Sequence, residues 1–135
     1  MKLEKEILKK FINIGLKKND SIFVLINSTK LLKYSNQFSK NFFIILKKFL
    51  SKQGTILVQS HTRYTAKYGI NFNYESSEPN YGYFSKLVFN DKKSIRSLHP
   101  VKSFCAIGKN KFFLCTNNSS SDYGFGSPPE KFLSL

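Results

Sequence analysis

Leu3, Ile7, Leu8, Phe11 and Ile14 recur at the three-to-four spacing of one helical face, with lysines on the other. Gly15 follows where a left-handed C-terminal residue belongs, so the pattern predicts an amphipathic first helix. After the turn-like Lys18-Asn19-Asp20, the run Ser21 to Ile26 is continuously apolar and rich in aromatic and β-branched residues. That is the signature of a strand covered on both faces. A second helical pattern runs from Gln37 to Leu50, with Phe38, Phe42, Ile45, Leu46 and Phe49 on one face. Gly54 breaks it, and Thr55-Ile56-Leu57-Val58 reads as another buried strand. Helix, strand, helix, strand predicts an α/β fold, a layered α/β/α arrangement with a largely parallel sheet built on a right-handed crossover.

Beyond the second strand the pattern changes. Arg63 to Tyr83 is rich in Tyr, Asn and Gly, contains Pro79, and reads as a long functional loop. A short helix is expected over Tyr83 to Phe89 and a strand over Ser103 to Gly108. Lys111 to Thr116 fits helix or strand. Asn117 to Asp122 is polar, and Tyr123 to Pro129 is a turn-rich entry to a final segment, Glu130 to Leu135.

Length and composition narrow the class. A chain of 135 residues fits one domain, and 14 Phe with 7 Tyr supply buriable surface that disordered chains lack. The net charge of +14 is almost all lysine, since only Arg63 and Arg96 are arginine. Most of the lysines in the first 52 residues lie opposite an apolar stripe, which makes them solvated helix faces with a general pull on anions. Nucleic-acid binding calls for arginine at base edges or exposed aromatics in a basic stripe, and the phenylalanines here form the buried stripe instead. No continuous apolar run reaches the length of a signal h-region or a membrane span. Cys105 and Cys115 lack C-x-x-C spacing and read as two reduced, buried thiols, so a cytoplasmic protein without membrane contact is the simplest account.

Candidate chemistry lies at two polar turns directly after the two predicted strands, Asn27-Ser28-Thr29 and Gln59-Ser60-His61-Thr62. Ligands of open α/β sheets sit outside the carboxyl ends of strands, where hydroxyls and free N–H groups meet a substrate; ordinary turns also use these residues as caps. Neither a P-loop nor a dinucleotide glycine pattern occurs, Tyr123-Gly124-Phe125-Gly126-Ser127 is not a nucleophile elbow, and His61 and His99 are too few for a zinc site. The sharpest local feature is Arg96-Ser97-Leu98-His99-Pro100, in which Pro100 restricts His99 to an extended backbone beside an arginine. Such a histidine is either a hydrogen-bonded loop residue or a group that binds phosphate or orients a nucleophile.

Five segments occur in order: Phe11 to Ser21, Val24 to Thr29, Gly54 to Val58, Arg96 to Ser103 with Ala106-Ile107-Gly108, and Tyr123 to Pro128. Their order and spacing resembles the aminoglycoside 3-N-acetyltransferase family, and Arg-Ser-x-His-Pro with its following Ser and Ala-x-Gly is the most specific of them. The resemblance implies that residues 1–135 form the N-terminal portion of that domain, an incomplete version of the antibiotic N-acetyltransferase fold. It implies acetyl-CoA as co-substrate, no metal, and a small-molecule amine acceptor on an aminosugar or aminoglycoside. Ser28 and Thr29 would occupy the family's His-Ser-Ser turn beside the CoA pantetheine and phosphates. Arg96, Ser97 and Ser103 would lie in the same cleft, with His99 as the candidate catalytic residue.

Two departures accompany the resemblance. The family's first-turn His is replaced by Ile26 or Asn27, and the His-x-x-Glu stretch that resembles the family's general-base dyad has no counterpart before Leu135. The expectation is a truncated family member that pairs with a complementing C-terminal half or forms a homo-oligomer. The alternative is a non-catalytic α/β binding or scaffold domain that retains a CoA-binding turn.

Overall fold

The computed structural model describes residues 2–26, 36–80 and 82–135. Helix α1 spans Lys2–Asn13 and buries Ile7 and Phe11. It ends as its sequence implies: Gly15 has φ +79°, and the Leu16 N–H reaches back to the Phe11 carbonyl at 2.9 Å. Strand β1, Ser21–Val24, leads to helix α2, Asn36–Leu50, and strand β2, Thr55–Gln59. Helices α3 (Arg63–Tyr68) and α4 (Gly82–Phe89) follow. Strands β3 (Ile95–Arg96) and β4 (Phe104–Gly108) then precede the short helices α5 (Lys111–Cys115) and α6 (Pro128–Leu133). Ser127 caps α6 with its hydroxyl on the Glu130 N–H, while the Glu130 carboxylate returns to the Gly126 N–H.

The four strands order β1-β2-β4-β3. β1 and β2 are parallel, with Ile22 opposite Ile56, as the helix-strand alternation predicts. β4 runs antiparallel to both β2 and β3, so the sheet is mixed and mostly antiparallel, which corrects the expected largely parallel sheet. A run such as Ile56-Leu57-Val58 reports burial on both faces and carries nothing about direction. Direction is set by the connection: a seven-residue loop, 97–103, turns β3 straight back into β4.

Alternation along β2 and β4 sorts the core into two layers. Ile56, Val58, Cys105 and Ile107 join Phe11, Leu46, Leu50, Phe84 and Val88 on the face covered by α1, α2 and α4. Leu57, Phe104 and Ala106 face the other way, against Leu114 and Cys115 of α5 and Phe132 of α6. The α/β/α layering therefore stands. At the bottom of the sheet, Gly108 has φ +112°, and a Cβ there would lie 2.0 Å from the Gly54 carbonyl oxygen, so only glycine permits the approach of the two backbones.

Two further expectations change. β1 is half-buried along its length, because it is an edge strand of the described sheet. The segment read as one long loop contains α3, which buries none of its residues and so has no apolar stripe for periodicity to detect.

Candidate functional site

Three segments meet at the carboxyl end of β2: the turn Ser60-His61-Thr62, the loop 97–103 and the loop 73–80. Main-chain bonds align the first two, Ser60 N–H to the Ser103 carbonyl at 2.9 Å and Thr62 N–H to the Val101 carbonyl at 2.8 Å. The Thr62 hydroxyl also donates to the Pro100 carbonyl, and the Asn80 N–H to the His61 carbonyl at 2.8 Å.

Arg96 sits where the three join, with 4% of its surface exposed. Its Nε donates to Ser103 Oγ at 2.9 Å, Nη2 to the Ser60 carbonyl at 3.0 Å, and Nη1 to the carbonyls of Ser77 and Tyr74 at 2.7 and 3.2 Å. The Tyr74 hydroxyl returns a bond to the Arg96 carbonyl at 2.6 Å. The guanidinium lies 5.0 Å from the Phe72 ring centre and 4.9 Å from that of Phe89. Burial pulls its pKa below the ordinary arginine value, yet every acceptor it meets is a carbonyl or hydroxyl. A planar five-donor fork can satisfy three segments at once, which an ammonium cannot.

The two buried serines complete the junction. Ser103 Oγ donates its proton to the Ser60 carbonyl at 2.8 Å, so the Ser60 hydroxyl is the donor in the 3.1 Å contact between their oxygens. Ser97 Oγ accepts from the Phe104 N–H at 2.9 Å and pins the start of the loop.

His99 is half-buried in that loop. Its Nδ1 accepts the N–H groups of Val101 and Lys102 at 3.2 and 2.9 Å, which leaves the proton of the neutral ring on Nε2. Lys102 pairs with Asp122 and lies 5.8 Å from the Tyr123 ring centre, and the Tyr123 hydroxyl accepts from Gln59 Nε2 at 2.9 Å. Hydrogen bonding to Lys102 holds the Asp122 carboxyl below its usual range. His61 is 3% exposed, packs edge-on to Phe104 at 5.4 Å, and has its pKa lowered to about 4, chiefly by burial and then by Arg63, Lys102 and His99.

The structure thus brings Arg96, Ser97, His99 and Ser103 together at one end of the sheet. Ser28 and Thr29 lie outside the described residues. Arg96, Ser97 and Ser103 spend their polar atoms inside the chain, and His99 presents a donor nitrogen. Sequence reasoning did not find the Lys102–Asp122 pair, the Gln59–Tyr123 bond or the roles of Tyr74, Ser77 and Asn80. The Tyr-rich composition of the loop was the available signal. Among the described residues no three His, Cys, Asp or Glu side chains converge as a metal site would need. No helix among them is long and apolar enough to cross a membrane.

Known structures share this fold. AAC-VIa with bound sisomicin superposes with a TM-score of 0.81 at 18% identity, over 97% of this chain and 55% of that one. AAC-IIIb in its binary complex with CoASH gives 0.80 at 18% identity, again over 97% and 55%. The YokD protein from Bacillus subtilis gives 0.78 at 19% identity, over 93% and 58%. At these identities the likeness is one of fold, and the chain spans about half the length of these structures. No curated protein sequence matches it significantly. The family model described as aminoglycoside 3-N-acetyltransferase matches residues 28–135. With most of its length matched by that model and its fold shared with family enzymes, the chain belongs to the aminoglycoside 3-N-acetyltransferase family.

Proposed function

We propose that the chain is the CoA-binding portion of an acetyl-CoA-dependent N-acetyltransferase acting on an amine of an aminosugar or aminoglycoside. The observation that carries this reading is the junction at the carboxyl end of β2, where Arg96 and Ser103 lock the His99 loop onto the turn after Ser60. A relative with the same fold was solved with CoASH.

In the reaction, the amine nitrogen attacks the thioester carbonyl, the C–S bond breaks, CoA leaves as thiolate, and the nitrogen gives up a proton. A neutral His99 with its proton on Nε2 can donate to the acyl oxygen or to a CoA phosphate. Arg96, Ser97 and Ser103 serve as positioning residues that set the loop's shape, and Ser28 and Thr29 contact the pantetheine and phosphates. General-base help is typically worth about 10² to 10⁴ in rate. His99 Nδ1 already accepts two N–H groups, and a buried His61 with a pKa of about 4 is too weak a base for an alkylammonium.

That last observation favours a second reading, a CoA-binding domain without turnover by itself. Calorimetry with acetyl-CoA, followed by a thiol-release assay across a panel of aminoglycosides and aminosugars, separates the two. Binding with release supports the enzyme, binding without release supports the module, and a folded protein that does neither overturns both. His99→Ala is expected to weaken acetyl-CoA binding at least about tenfold.

A further inference from the structure

At the opposite end of the sheet from the His99 loop, a groove of about 760 Å³ opens between the C-terminal half of α2, the turn after β4 and the segment that precedes β3. That volume falls in the range of small-molecule sites, about 300 to 1,000 Å³. Phe43, Ile44 and Ile107 give it an apolar lining, and Ile44 is 61% exposed although it sits beside the core. Around that lining stand five ammonium groups, from Lys47, Lys48, Lys52, Lys93 and Lys111, against the single carboxylate of Asp91.

Part of this charge has a structural role. Lys47 and Lys48 complement the C-terminal end of α2. Lys47 pairs with Asp91, whose other oxygen accepts the Lys93 N–H, Lys48 reaches Glu4, and the Lys111 ammonium donates to the Lys93 carbonyl at 2.7 Å. These bonds tether the groove's rim and fix its shape. With Asp91 and Glu4 set against the five lysines, they leave an excess of three positive charges over one concave apolar surface, and a low-dielectric wall strengthens such a field. Lysine presents a point charge and no fork, so it suits an anion of flexible geometry and carries no preference for a planar carboxylate.

We propose that this groove is a second binding site, for an organic phosphate of nucleotide size, with the phosphates on the lysine rim and the flat apolar body against Phe43, Ile44 and Ile107. The site shares no residue with the His99 loop, and the inference is independent of the acetyltransferase reading.

The test titrates the whole chain by calorimetry with ATP, tripolyphosphate and adenosine. ATP is expected to bind, with tripolyphosphate and adenosine each at least about tenfold weaker and the ATP affinity falling as salt rises. Lys52→Glu with Lys93→Glu, and separately Ile44→Glu, are each expected to weaken ATP at least about tenfold. Lys9→Glu with Lys17→Glu makes the same change in net charge outside the groove and is expected to leave ATP binding within about twofold. All of these positions are exposed, and each variant is first to be checked for a native-like melting curve. The proposal is overturned if ATP does not bind, if tripolyphosphate binds as well as ATP, or if the two double variants weaken ATP equally. ATP binding that survives both groove variants overturns it too.

Discussion

Arg96 Nη2 donates to the Ser60 carbonyl at 3.0 Å across the intervening strand β4, joining β3 to the end of β2 although the two strands are not neighbours. The same guanidinium holds Ser103, Ser77 and Tyr74. One buried side chain therefore sets the relative position of the turn after β2, the His99 loop and the loop that carries Tyr74.

Arg96→Lys should cost about 2 to 4 kcal/mol, because an ammonium keeps the charge buried but cannot reach the acceptors of three segments. Urea unfolding measures it. A loss below about 0.5 kcal/mol, within the usual range for surface changes, would show that the junction is held by packing alone.

His61 makes stability depend on pH in a set direction. Its folded pKa, about 4, lies below the unfolded value of 6.5, so its contribution is fully present above pH 6.5 and is lost as pH falls from 6.5 toward 4. The amount is about 3 kcal/mol. His61→Gln should flatten the stability profile between those limits in denaturation series at pH 7.5 and 4.5. An imidazole NMR titration with a midpoint near 6.5 in the folded protein would contradict the burial argument.

Gly108→Ala should be among the most damaging single-atom changes available. The new Cβ meets the Gly54 carbonyl oxygen at 2.0 Å and the Thr55 Cα at 2.8 Å, on a backbone with φ +112°. A loss of at least about 3 kcal/mol is expected from strain and displacement together. Gly69→Ala is the contrast: its φ is also positive, at +63°, but nothing lies within 4 Å, so the cost should stay near 1 kcal/mol. Equal losses at the two positions would remove the close-approach argument.

Cys105 and Cys115 are free and buried, and burial raises both thiols above the ordinary value. Only the thiolate attacks, so neither should react with an aromatic disulfide reagent in the native protein, and both should react once it is unfolded. Stoichiometric labelling of the folded chain at pH 8 would show that the β4 and α5 layers open readily.

Much of this was legible residue by residue. The stripe of Leu3, Ile7 and Phe11 and the stripe of Phe42, Leu46 and Phe49 are local periodicities, and local periodicity is sufficient to place a helix. Leu57 and Phe104 could be assigned to strands because each lies in a short, continuous apolar run bounded by turn residues. The segment Arg96 to Ser103 was visible as a motif, and it does cluster. What its members do was not visible: a spacing of seven between Arg96 and Ser103 cannot announce that the donors of Arg96 are consumed by carbonyls at positions 60, 74 and 77.

The chain by itself determined helices α1, α2 and α4, strands β1, β2 and β4, the parallel β1 and β2 pair and the family, because hydrophobic period, glycine placement and motif order are one-dimensional quantities. Tertiary structure alone decided that β4 runs against β2, that α3 exists without a buried face, and that Arg96 is a clamp inside the protein. It also decided that lysines from α2, the 91–94 segment and α5 face one groove. Strand direction, the partner of a donor and the sum of a field all depend on residues distant in sequence, and no local pattern carries them.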